Sequence, residues 1–210
     1  MRLPNQAHTS RPWRIHEITR DFRLEDVWAL PGVGAPEDFA RLVQRFTAYD
    51  PSQSSSFAVR TLFAIRLKLG ELLGWDDADA GLGSRVATLR QRLPADLRDG
   101  PSGPESDALP VSSLYVTDDE WAAEIANRTV HGVIHIGRVP ATGGFRAQMA
   151  VLVKPNGLFG AAYMAAIRPF RHLIVYPQIM REGERLWWAD TRPASQQGAP
   201  TWAAPGSHVS

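Results

Sequence analysis

The chain has 210 residues, 44% of them hydrophobic, with 23 basic and 22 acidic side chains and no cysteine. A net charge of +1 sets up no field that would draw in nucleic acid or an anionic membrane, and the lack of thiols excludes disulfides, thiol catalysis and cysteine metal sites. The length suits one domain with a self-sufficient core, and no apolar leader is visible, so the expected compartment is the cytoplasm.

Residues 1–11 are polar, with Pro4 and Pro12 at their margins, and are expected to be disordered. The loose alternation from Trp13 to Ile18 predicts a first strand. Val27 to Leu30 is a short apolar element that Pro31-Gly32 stops. Pro36-Glu37-Asp38 opens a helix, because proline fits the first turn and acidic side chains suit the positive end of the helix dipole. Its buried stripe is Phe39, Leu42, Val43 and Phe46. After a loop over 50–55, a second helix is expected from Ser56 to Leu73, with Leu62, Ile65, Leu69 and Leu72 inward and Gly74 as its stop. Residues 76–84 form a loop, Val86 to Arg92 a short helical piece, and 99–108 a turn-rich stretch expected to be mobile.

The sheet begins with a strand from Val111 to Val116. Glu120 to Ala126 is taken as a strand, although Thr117 and Glu120 also fit a helix capping box. Thr129 to Val139 is β-branched and alternating, Pro140 to Gly144 is a hairpin loop, and Phe145 to Val153 is the next strand. Asn156 to Met180 then predicts a long helix. Leu158, Phe159, Ala162, Tyr163, Ala166, Ile167, Phe170 and Ile174 recur at spacings of three and four, with Pro169 and Pro177 as kinks. Arg168 interrupts its apolar run well short of the about 20 residues a membrane span needs, so no membrane crossing is expected. Residues 191–210 are expected to be a disordered tail.

Alternation assigns faces. Trp121, Ala123 and Ile125 share the apolar side with Ile134, Ile136, Phe145, Ala147, Met149 and Val151, which is expected to meet the C-terminal helix. Glu120, Glu124, His131, Val133 and His135 share the other side, expected to face solvent. A two-residue turn at Asn127-Arg128 would place Glu124 opposite His131 and Glu120 opposite His135, as surface ion pairs. Four residues along a strand separate the two histidines, and likewise the two glutamates, by ~13 Å. That is too far for one metal ion or for a paired-carboxylate acid–base mechanism, so no metal is expected. Arg168, Arg171 and His172 are candidate anion ligands or, alternatively, helix-end cations. No glycine-rich nucleotide loop and no nucleophile elbow occurs, and no cofactor is expected.

The order Asp119-Glu120, hairpin, Thr129-Val130-His131, then Asn156-Gly157-x-x-Gly160-x-x-Tyr163-Met164-x-x-Ile167-x-Pro169-Phe170-Arg171-His172 resembles the bacterial family catalogued as domain of unknown function 2867. The resemblance spans roughly residues 13–190 and is most specific from Asn156 to Pro177. It implies a helix-grip fold of the START-like, polyketide-cyclase-like class. The expected class is α+β, an antiparallel sheet wrapped around a long C-terminal helix, as one domain over 12–190. Fold does not give function. The first expectation is a cavity for a small apolar ligand, walled by Trp121, Ile134, Met149 and Tyr163 with Tyr163 as the polar handle. The alternatives are a solid core, a cyclase- or hydratase-like enzyme using Tyr163 as acid, and an interaction module. The last would form a homodimer through the polar sheet face or bind a reductase partner.

Overall fold

The computed structural model describes residues 1–35, 37–54, 56, 60, 61, 64, 68, 82, 86–127, 129–158, 160, 162, 164, 165 and 177. Its frame is a six-stranded sheet, antiparallel at every pairing. The strands are β1 (Arg2–Leu3), β2 (Arg23–Ala29), β3 (Ser112–Val116), β4 (Glu120–Ala126), β5 (Val130–Ala141) and β6 (Gly144–Pro155), and they lie in the order β1-β2-β6-β5-β4-β3. The helices are α1 (Gln6–Thr9), α2 (Ile15–Ile18), α3 (Asp38–Thr47) and α4 (Ala95–Arg98), with 3-10 turns at Pro51–Gln53 and Leu89–Arg92. This is an α+β architecture.

The longest pairing, β5 with β6, runs from Val130↔Pro155 to Ala141↔Gly144 and turns at Thr142-Gly143. Gly143 there has φ 83°, a left-handed conformation that glycine takes without a Cβ penalty. Alternation assigned the faces correctly. Trp121, Ala123, Ile136, Phe145, Ala147 and Met149 pack in one core cluster with Trp28 and Leu30. The helix α3 covers them with the stripe the sequence predicts, setting Phe39 against Phe145 and Phe46 against Trp121, each at 5.9 Å between ring centres.

The opposite face corrects three expectations. It does not look outward: Glu120, Glu124, His131 and His135 are all buried, the last with no exposed surface. Nor are residues 1–11 disordered. Arg2–Leu3 pairs with β2, Gln6–Thr9 is helical, and His8 is wholly buried. Trp13 to Ile18 is a turn followed by the helix α2 rather than a strand. With these segments and the turn-rich 89–97, the chain lays Trp13, Ile15, Ile18, Leu89, Leu93 and Leu97 over Val27, Ala122, Val133, Ala150 and Leu152. Each such side chain removed from water contributes about 1.5–3 kcal/mol, so this layer is as much a core as the first. The 99–108 stretch also has a fixed place. The Pro101 carbonyl accepts the Val116 N–H and the Pro104 carbonyl accepts the Ser113 hydroxyl, so it lines the free edge of β3.

Two expected helices fall largely outside the described residues. Positions 60, 61, 64 and 68 are helical, but the stripe Leu62, Ile65, Leu69 and Leu72 is not described. Helical conformation begins again at Gly157 and holds at 158, 160, 162, 164, 165 and 177. The long C-terminal helix, Tyr163, Arg168, Arg171, His172 and the 191–210 tail otherwise lie outside the described residues. At Gly160 a Cβ would collide with the Thr129 carbonyl, so the chain crosses the start of β5 in close backbone contact.

Candidate functional site

The chemistry-bearing side chains gather on the newly covered face of the sheet. Glu120 and Glu124 lie four residues apart on β4 and project the same way. Each takes one histidine of β5: His135 Nε2 lies 3.0 Å from Glu120 Oε2, and His131 Nε2 lies 2.8 Å from Glu124 Oε2. The pairs foreseen from alternation therefore form, but diagonally. Cα partners are Ala126↔His131 and Glu124↔Val133, two residues away from the expected register. Asn127 causes the difference. Its side-chain oxygen accepts from Thr129 N–H, Thr129 O–H and Val130 N–H, building a longer turn than the two-residue one expected. An even shift preserves the face, so the right residues still meet.

Each glutamate also holds a piece of the covering layer. Glu120 accepts the backbone N–H of Arg14 at 2.9 Å and of Ile15 at 3.4 Å, where α2 begins, together with the Tyr115 hydroxyl at 2.9 Å. Glu124 accepts the Leu89 N–H at 3.0 Å and the Thr88 hydroxyl, where the second 3-10 turn begins. Exposed N–H groups at a helix start seek an anion or a cap, and here a strand supplies it. Burial favours the neutral form of Glu120, but the hydrogen bond and charge of His135, the Arg14 N–H and the Tyr115 hydroxyl outweigh it and leave its pKa below the ordinary carboxylate value. Burial lowers His135, against the pull of Glu120, and raises Tyr115 well above an ordinary phenol, with Glu120 adding repulsion.

An ionised Glu120 can only accept, so His135 carries its proton on Nε2 and its Nδ1 is an acceptor. His8 Nε2, 3.1 Å away, is then the donor. That leaves His8 Nδ1 as a buried acceptor with no partner among the described residues. Burial, then repulsion from His135 and His16, pushes the His8 pKa down to about 3. The chain Tyr115–Glu120–His135–His8 is thus hydrogen-bonded throughout but sealed. Trp13 lies 5.3 Å from the His135 ring and His16 lies 4.8 Å from the His8 ring.

The residues expected to bind a ligand lie on the other face. Trp121 is fully buried, donates its indole N–H to Ser113 Oγ at 3.1 Å and packs in the core beneath α3. Met149 is also packed there, whereas Ile134 is only half-buried. Tyr163 lies outside the described residues. Ile134 pairs with Val151 across β5 and β6, and Val151 is half-buried as well, although the next pair, Ile136↔Met149, is closed to solvent. Ile125 and Val130 are half-open alongside them. Directly opposite Val151 on β2 stands Asp26, a wholly buried carboxylate with the Arg2 guanidinium at 3.5 Å. Sequence reasoning missed Asp26, because the expected apolar element begins at Val27, whereas the strand already starts at Arg23.

Among the described residues no helix is long and apolar enough to cross a membrane. No curated protein and no solved structure matches the chain. The chain matches a family over residues 18–178, from the end of α2 past the start of the C-terminal helical turns; the family is described as Protein of unknown function (DUF2867).

Proposed function

The chain belongs to the DUF2867 family, and we propose that it binds a small apolar ligand between the sheet and the residues that follow Pro155. The observation that carries this reading is the uneven cover of the apolar face. Ile134 and Val151 sit in the middle of a six-stranded sheet, where a solid core would close over them, yet both keep access to solvent. Ile125 and Val130 extend the opening along β4 and β5. The fully packed Trp121 and Met149 form its closed end rather than its walls. In this reading the helix-grip, START-like arrangement follows, with the chain after Gly157 as the lid of an apolar cavity.

The test is native mass spectrometry of the freshly purified protein, with organic extraction, beside an Ile134→Trp variant. The larger indole would occupy the opening beside Val151. The expected outcome is a co-purifying apolar molecule in the parent protein and its loss in the variant, with circular dichroism unchanged. A clean apo mass for the parent, with no thermal shift against a lipid and polyketide panel, would point to a solid core instead.

Asp26 favours a second reading, an acid–base enzyme of the hydratase or cyclase type acting in the same cavity. It is a wholly buried carboxylate that stands opposite Val151 on the apolar face, a placement that suits a general acid or base. Asp26→Asn separates the two readings: a binding protein keeps its ligand, whereas an enzyme accumulates unconverted substrate.

A further inference from the structure

Away from that face, a concavity of about 340 Å³ opens at the end of the β5–β6 hairpin, and we propose that it is a binding site for a small organic carboxylate. Its wall includes Arg11, Pro12, Trp13, Asp119, Arg138 and Pro140. The volume falls at the lower end of the ~300–1,000 Å³ typical of small-molecule sites.

Charge selects the ligand. Asp119 already neutralises Arg138, taking its Nε at 2.9 Å and a terminal nitrogen at 2.6 Å. Arg11 has no side-chain hydrogen bond or ion pair among the described residues, although it is half-buried. Two cations against one anion leave the wall with one uncompensated positive charge, from Arg11 + Arg138 − Asp119. A half-buried guanidinium presents a planar fork that a carboxylate meets with two parallel hydrogen bonds.

The rest of the wall selects an apolar body behind that carboxylate. Pro12, Pro140 and Trp13 offer carbon surface and, apart from the Trp13 N–H, no side-chain donor. Trp13 is held rigidly: it packs on the His135 ring, and its six-membered ring sits where a Cβ on Gly137 would lie only 2.7 Å away. The backbone of Arg11 is also anchored, because its main-chain N–H donates to the carbonyl of the buried His8 at 3.1 Å. A site whose wall is already positioned loses less entropy on binding.

The experiment is a proton–nitrogen NMR titration of the full chain with sodium benzoate at constant ionic strength. Sodium phosphate and benzamide serve as probes of charge alone and of the ring alone. The expected result is saturable movement of the Trp13 indole N–H with benzoate, and at least about tenfold weaker binding of phosphate and benzamide. Arg11→Gln should weaken benzoate by about tenfold or more while Arg11→Lys loses less, since a lysine keeps the charge but not the fork. Pro140→Glu, at an exposed position on the rim, should weaken it too by repulsion and guards against a folding defect at Arg11. No saturable shift at Trp13, equal binding of phosphate, or benzoate affinity unchanged in both Arg11→Gln and Pro140→Glu would each overturn the assignment. Loss of the apolar ligand in Ile134→Trp should leave this titration unchanged, which separates the two sites.

Discussion

Glu120 serves four donors with one carboxylate: two backbone N–H groups, a phenol and an imidazole. Replacing it by glutamine keeps the shape but removes the charge and one acceptor, and it leaves buried donors unpaired. Glu120→Gln should therefore destabilise the fold by about 3 kcal/mol or more, read as a lower urea midpoint. Glu17→Gln, at an exposed ion pair with Arg14, should cost no more than about 1 kcal/mol. Equal losses from the two would show that the buried carboxylate has no special share. The sequence made half of this legible. Period-two spacing placed Glu120, Glu124, His131 and His135 on one face and matched each acid to its histidine. It could not show that the face was covered, because the cover comes from helices of four residues, too short to carry a periodicity, and from partners 35 to 106 residues away.

At the scale of elements, the helical pieces of the covering layer are pinned to the sheet at β4. The helix α2 and the 3-10 turn at Leu89–Arg92 each start at a glutamate of β4, and Arg14 ties the two pieces to each other by a two-pronged contact with Asp96 at 2.8 and 3.1 Å. The seat for Trp13 is Gly137, the position on β5 that lacks a side chain beneath the ring. Gly137→Ala should push Trp13 off the sheet, because the new Cβ would stand 2.7 Å from the ring. Overpacking of this kind costs about 1–3 kcal/mol. Hydrogen exchange should show protection lost over residues 8–18 while β5 and β6 keep theirs. Uniform loss across the sheet would mean that the layer and the sheet open as one unit. The helix α3 was readable in advance because ten residues suffice to show a stripe. The β4–β5 register was not, because the Asn127 side chain reshaped the turn.

For the molecule as a whole, the buried histidines make acid the weak point. His8 stays neutral in the fold down to about pH 3, whereas an unfolded chain protonates it below 6.5. The unfolded state then binds the extra proton, so stability falls as pH drops from 6.5 toward 3. Between pH 8 and pH 5 His8 alone should withdraw about 2 kcal/mol. Glu120 acts in the same direction. Its pKa lies below the ordinary 4.5, so the stability it contributes is present above that value and is lost as pH falls through the folded one. Urea unfolding at a series of pH values should give a midpoint that declines steadily below pH 6.5, and His8→Gln should flatten that decline. A midpoint independent of pH down to 5 would contradict the buried, neutral His8.

The anchors also set an order of events during synthesis. Arg14 reaches Glu120 across 106 residues, and His8 reaches His135 across 127. At ribosomal rates of about 5–20 residues per second, the N-terminal arm waits roughly 5–20 s for the strand that will hold it. Through that interval Trp13, Ile15 and Ile18 have no sheet to dock on. The nascent chain thus presents a short apolar segment, of the kind that chaperones bind, until β4 and β5 emerge and close over it.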